Sequence, residues 1–267
     1  MTCETVREGS AAHGGQALAN AYEDARRAEA YATLEFPGTY YLAYRDLPEV
    51  LRRHVAGGTA LDFGCGTGRS TRFLRGLGFA PVGVDISPDM IARAHDLDPS
   101  GTYRLIPDAD FRDLAPRAFG LVLSVFTFDN IPGMEHRVRI LRGLGRLLAS
   151  GGRIVLLDAT PELYVNEWAS FSTKPFEENA VAKTGDIVRT IITDVEDRRP
   201  VDDVFWSDED YRESFVRAGL TVVETVHPLG REGEPCEWVN ETRIAPWVIY
   251  VLALAASTSE ARFVPKK

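Results

Sequence analysis

Asp62-Phe63-Gly64-Cys65-Gly66-Thr67-Gly68 sets an acid and three alternating glycines within seven residues, between the apolar lead-in Ala60-Leu61 and the helix-like run Arg69 to Leu74. Glycines at alternate positions let the backbone turn sharply and let a ligand approach main-chain N–H groups that side chains would screen. Seventeen positions after Gly68, Asp85 closes a second apolar run, Ala80-Pro81-Val82-Gly83-Val84. A carboxylate there is placed to accept from both hydroxyls of a ribose when a second parallel strand ends beside the first. Strand, glycine turn, helix and acid together read as the site of a nucleoside-bearing cofactor. The alternative is a tight turn followed by a helix cap.

The same seven residues resemble the first motif of the class I S-adenosylmethionine-dependent methyltransferases. A nicotinamide site wants Gly-x-Gly-x-x-Gly, whereas these glycines alternate and an acid precedes them. The resemblance continues through Val84-Asp85-Ile86-Ser87-Pro88-Asp89-Met90, Pro107-Asp108-Ala109 and Leu148-Ala149-Ser150-Gly151-Gly152-Arg153, covering about residues 55 to 160. It implies S-adenosylmethionine as cofactor and S-adenosylhomocysteine as product. By the same resemblance Asp62, Gly64, Cys65 and Gly66 face the methionine end, Asp85 the ribose, and Ile86 and Met90 the adenine. Asp108 would accept from the exocyclic amine, Ala109 would offer its N–H to the ring, and Phe126 would be a main-chain or packing contact. Met90 reads equally as core.

Methyl transfer from a sulfonium needs a nucleophile in line with the methyl carbon and the departing sulfur, so orientation and desolvation do most of the work. The segment Ser124 to Pro132 ends the fourth expected strand, where a doubly wound sheet opens onto its ligand crevice. It departs from the Asn/Asp-Pro-Pro-Tyr pattern of amino methyltransferases acting on DNA bases and protein glutamine. Asp129 is the leading candidate for a general base, with His136 and Glu241 behind it. Tyr22 and Tyr31 lie in the N-terminal helices that close over sulfonium and acceptor in similar small-molecule enzymes, and a tyrosine steers a cation through its ring or oxygen. Trp168, Phe171, Trp206, Trp238 and Trp247 add aromatic surface that fits an apolar or aromatic acceptor, or a plain core.

A net charge of -9 argues against a general nucleic-acid binder, because phosphate neutralisation needs clustered Lys and Arg. Cys3, Cys65 and Cys236 are too scattered for a disulfide framework or a four-ligand zinc site, and the five histidines have no metal-ligand spacing, so no metal is expected. The free thiols fit a reducing cytoplasm, and no apolar run reaches membrane-spanning length. Basic residues are 26 Arg and 4 Lys, which points to a GC-rich bacterial coding sequence. Oligomeric state is not legible.

Short apolar segments at about 59–63, 81–85, 102–106, 119–125 and 152–158 alternate with helical stretches, which predicts an α/β doubly wound parallel sheet of Rossmann-like type. Helices are expected at Ala17–Ala32, near Tyr40 to His54, over Ile131–Leu148, from Glu162 to Phe171, and from a Ser207 cap to Ala218. Leu220–Val226 and Trp247–Leu254 read as two last strands, which in the resembled family complete a seven-stranded sheet with the last strand antiparallel. The expected organisation is an N-terminal helical cap over 1–55, a cofactor-binding core over 56–160, a substrate-covering insertion after the fifth strand over 161–206, and the remaining core sheet over 207–267. The function this supports is methyl transfer to a small organic metabolite, of the specialised, antibiotic-type kind. Two alternatives stand beside it: a methyltransferase-like enzyme assisting a cyclisation such as cyclopropane formation, and a noncatalytic cofactor-binding partner.

Overall fold

The computed structural model describes residues 36–256. The expected helix over Ala17–Ala32, with Tyr22 and Tyr31, lies outside the described residues.

Seven strands form the main sheet: β1 Thr59–Phe63, β2 Ala80–Asp85, β3 Tyr103–Leu105, β4 Phe119–Val125, β5 Leu148–Ala159, β9 Leu220–Val226 and β10 Trp247–Leu254. Their order across the sheet is β3-β2-β1-β4-β5-β10-β9. Every pair from β3 to β5 is parallel, and β10 runs antiparallel between β5 and β9. The expected fold is therefore the observed one. The order reverses between β1 and β4, both of which pair with one another, so the carboxyl ends of these strands flank the topological switch where such sheets open a ligand crevice.

Helices cover both faces. α1 Gly38–Arg45, α2 Leu47–His54 and α3 Arg69–Gly76 precede and follow β1, and α4 Pro88–Leu97 follows β2. α5 Met134–Leu147 and α6 Asp208–Arg217 follow β4 and the insertion. One core layer packs Leu42, Leu47 and Leu51 of α1 and α2 and Leu74 of α3 against Leu121, Leu123, Val155, Leu157 and Ile249. The other packs Ile140, Leu141 and Leu144 of α5 and Phe215 of α6 against Leu61, Val122, Ile154, Leu156 and Leu252. Alternate residues of β4 and β5 point to opposite layers, which is why both strands read as unbroken apolar runs.

Three boundaries differ from expectation for physical reasons. The helix expected over Tyr40 to His54 is two helices joined at Asp46, because Pro48 in the first turn of α2 has no N–H to give and its ring would meet the carbonyl four residues back. The helix expected from Glu162 to Phe171 is a single 3-10 turn, Pro161–Val165. Beyond it the Trp168 amide bonds the Phe171 carbonyl at 3.0 Å and the Trp168 indole bonds the Leu163 carbonyl at 2.8 Å, burying both rings in an irregular loop. β5 starts at Leu148, four residues earlier than expected, because Leu148 already pairs with Phe119.

Between β5 and α6 the chain forms a separate three-stranded sheet, β6 Phe171–Ser172, β7 Ile187–Ile192 and β8 Val201–Val204, antiparallel throughout. Its buried Phe171, Val188, Ile192 and Val201 belong to the same core layer as α1.

Candidate active site

The glycine turn leaves β1 at Phe63. Gly64 has a φ of 73°, and a Cβ there would fall 2.2 Å from Thr127 Oγ1, so no other residue fits. Gly66 has a φ of 51° and faces open space, with nothing within 4 Å of where its Cβ would stand. That space leaves the Gly66 backbone open to a ligand. Most of the turn's own amides are already used: Gly64 and Cys65 donate to the Val84 carbonyl at 2.8 and 3.0 Å, Gly66 to Asp85 Oδ2 at 2.8 Å, and Gly68 to the Cys65 carbonyl at 2.8 Å. α3 begins with no side-chain cap, so its first turn adds backbone donors at the mouth of the glycine turn. Cys65 turns its side chain inward against Ala94 and Tyr103, and burial pushes its thiol well up.

Asp62 is fully buried under this turn. Its Oδ2 accepts from Ser70 Oγ at 2.7 Å and Thr71 Oγ1 at 2.6 Å, pinning the start of α3 to the end of β1. Its Oδ1 is buried with no partner among the described residues. Burial raises the carboxyl to about 6, the two hydroxyl bonds oppose, and the Asp85 charge adds to the rise. A buried carboxylate short of one partner suits an ammonium or sulfonium nearby. Asp85 ends β2, with Oδ1 accepting the Ser87 amide at 2.9 Å and Oδ2 the Gly66 amide, which fixes the carboxylate while leaving lone pairs for two hydroxyls. Ile86 beside it is 54% exposed, an apolar side chain held out at the crevice edge where an adenine ring would cover it. The donor and acceptor chemistry of these residues fits S-adenosylmethionine.

Other expected contacts are placed differently. Met90 is buried in the first turns of α4, where its amide caps on Ser87 Oγ at 3.3 Å. Asp108 sits at a left-handed φ of 45°, with its exposed carboxylate directed at α5: 3.0 Å from His136 Nε2 and 3.3 Å from Arg139. Each of its oxygens keeps a lone pair beyond these ion pairs. Ala109 follows in the same 3-10 turn. Phe126 has a φ of 55° at the carboxyl end of β4, and its half-buried ring lies 4.6 Å from Trp247 and 5.7 Å from Tyr40. Phe171 lies 5.1 Å from Tyr40, completing a stack of buried aromatics behind Phe126.

Asp129 is a correction. It does not face the crevice as a free base: it is 7% exposed, and its carboxylate accepts from Tyr211 Oη at 3.1 Å and the Ala159 amide at 3.4 Å. Glu241 is fully buried and bound by four donors, Thr39 Oγ1 and the Ala169 amide on one oxygen and the Val239 and Asn240 amides on the other. It joins α1, the insertion and the β9–β10 connection. Sequence reading missed Ser70, Thr71, Arg137 and Asp158 as partners of these groups. A hydroxyl pair in the first turn after an acid was the available signal for the first two; Arg137 on an amphipathic helix gave none. Among the described residues no group of three or more potential ligands is placed to hold a metal, and no helix is long and apolar enough to cross a membrane. A cleft of about 930 Å³ lined by Arg117, Arg139, Arg142, Arg146 and Arg217 lies at the amino ends of β4 and β5, at the opposite end of the strands from the glycine turn.

Comparison with known proteins agrees with this geometry. Residues 61–156 match the methyltransferase-domain family. N-demethylindolmycin N-methyltransferase of Streptomyces griseus is 29% identical over 208 residues, 77% of this chain and 86% of that protein. Demethylmenaquinone methyltransferase of Tropheryma whipplei is 36% identical over 108 residues, 39% of this chain and 43% of that protein, so the alignment spans less than half of this second relative. Among solved structures, the CcbJ methyltransferase of Streptomyces caelestis superposes with a TM-score of 0.60 at 19% identity, over 86% of this chain and 96% of that one. An S-adenosylmethionine-dependent methyltransferase from Clostridium acetobutylicum superposes with a TM-score of 0.56 at 14% identity, over 88% and 96%. Sheet order, glycine turn and domain match together define a class I S-adenosylmethionine-dependent methyltransferase. Residues 61–156 carry that methyltransferase domain, which implies S-adenosylmethionine as cofactor and S-adenosylhomocysteine as product.

Proposed function

We propose that this enzyme transfers a methyl group from S-adenosylmethionine to a small organic metabolite of specialised, antibiotic-type biosynthesis in a bacterial cytoplasm. The observation that carries the reading is the Gly66 opening between Asp62 and Asp85 at the switch between β1 and β4. The alignment with N-demethylindolmycin N-methyltransferase over most of both chains supports the acceptor class.

When bound, the cofactor supplies a methyl on a cationic sulfur. Asp62 holds the electrostatic balance at the methionine end through its unpartnered Oδ1, Asp85 takes the ribose hydroxyls, and Ile86 covers one adenine face. Phe126, backed by Tyr40, Phe171 and Trp247, walls the far side and excludes water from the acceptor. The second sheet, whose Phe171 is part of that stack, covers the acceptor. Orientation and desolvation then account for the rate, and no covalent enzyme intermediate is formed.

Incubation with methyl-labelled S-adenosylmethionine and small-molecule extracts of a producing bacterium should give a product heavier by one methyl, together with S-adenosylhomocysteine. A panel that includes secondary amines and aromatic alcohols and yields neither would sink the reading.

A further inference from the structure

The exits of β4 and β5 hold each other through their side chains. The parallel ladder makes one last rung, Phe126 N–H to the Leu157 carbonyl at 2.9 Å, before the left-handed turn at Phe126 carries the chain away. Past that turn Asp158 Oδ1 accepts the Phe128 amide at 3.2 Å, and Asp129 Oδ2 accepts the Ala159 amide at 3.4 Å. Each exit gives an amide to a carboxylate carried by the other. Arg137 of α5, fully buried, closes the arrangement: its Nε donates to the Ile131 carbonyl at 2.9 Å, its Nη2 to the Phe128 carbonyl, and its guanidinium lies 3.8 Å over the Trp206 ring. From α6 Tyr211 donates to Asp129, and from the 3-10 turn after β5 Tyr164 reaches Asp203 of β8. Asp158 Oδ2 and Arg137 Nη1 are buried with no hydrogen-bond partner among the described residues.

Two buried carboxylates around one guanidinium carry one negative charge too many for a dry site, so one of them holds a proton. Burial pushes Asp129 up to about 6 and Asp158 well above the usual carboxylate range; the Asp129 charge raises Asp158 further, and Arg137 opposes both.

We propose that Asp129 and Asp158 are positioning residues for methyl transfer, a reciprocal carboxyl tie that fixes the left-handed turn at Phe126 against the cofactor crevice. This rests on the placement of Phe126 in the cofactor site given above. The tie replaces the base role expected for Asp129: neither carboxyl touches a substrate, and both act through the backbone.

The test compares Asp158→Asn, Asp158→Ala, Asp129→Asn and the double asparagine variant by S-adenosylhomocysteine calorimetry and by denaturant stability, from about pH 5 to about pH 8. Asp158→Asn keeps an acceptor for the Phe128 amide and leaves Asp129 to balance Arg137, so its affinity stays within about twofold of wild type at the acid end. Asp158→Ala loses that acceptor and weakens binding by about tenfold. The ratio of wild-type to Asp158→Asn affinity falls as pH rises, because only the wild type has a shared proton to lose. The double variant leaves Arg137 without a counter-charge and loses more stability than the sum of the singles. A ratio constant with pH, a folded Asp158→Ala that binds like wild type, or additive single and double variants would each overturn the tie. Wild-type protein that binds no S-adenosylhomocysteine counts against the cofactor reading instead, and the stability cycle then still decides the tie.

Discussion

At the scale of single residues, the site divides acids by what surrounds them. Asp85 is anchored by two backbone amides and keeps lone pairs for a ligand, so Asp85→Ala should weaken S-adenosylhomocysteine binding by about tenfold to a hundredfold, the range for losing hydrogen bonds to a charged group, as titration calorimetry will show. Gly64→Ala should cost about 2 kcal/mol or more in denaturant unfolding, because it combines a left-handed φ with a Cβ set against Thr127. The placement of Asp62, Asp85 and the glycines at the exits of β1 and β2 was legible in the sequence because it is carried by local spacing. Asp129 was misread for the converse reason: a carboxylate at a strand exit looks the same in sequence whether it faces a crevice or bonds to Tyr211, 82 positions away.

Elements were legible where their signals are local and lost where contacts override propensity. Ser207 caps α6 as expected, its Oγ accepting the Asp210 amide at 3.1 Å, and Ser207→Ala should cost about 1 kcal/mol by thermal or chemical unfolding. The helix expected from Glu162 failed because Ser170 is claimed from outside: its amide bonds Thr39 Oγ1 at 3.0 Å and its hydroxyl accepts the Thr39 amide at 2.8 Å. Those bonds span 131 positions, beyond any reading of periodicity. Arg137 was hidden by the opposite effect. A charged residue on an amphipathic helix is normally solvated, but here two carbonyls and the Trp206 face hold it inside.

For the whole molecule, the buried acids make stability depend on pH in a direction opposite to that of ordinary paired carboxylates. Asp62 has its folded value raised to about 6, so its contribution is fully present below the ordinary carboxylate range and is lost as pH rises through about 6. Asp62→Asn retains an acceptor for Ser70 and Thr71 without the charge. Its stability relative to wild type should therefore rise with pH, by on the order of 3 kcal/mol between acid and neutral conditions, measured by denaturant titration at a series of pH values. The doubly wound parallel class of the main sheet was legible because strands alternate with helices throughout the core, whereas its strand order came only with the structure. The second sheet was legible only as an insertion over 161–206, since its pairing joins segments whose turns carry no short hairpin signature.

Glu241 gathers α1, the insertion and the β9–β10 connection on one buried carboxylate, and Glu241→Ala should cost about 3 kcal/mol or more and expose the Trp168–Thr173 loop to proteolysis. This arrangement constrains how the insertion can be exchanged between relatives. Grafting residues 161–206 from a relative transfers the amides of Ala169 and Ser170 but not Thr39 or Glu241, which stay with the recipient. A successful chimera therefore has to exchange three separated stretches of chain together, and libraries that shuffle the insertion alone should yield mostly folded cores with unseated insertions.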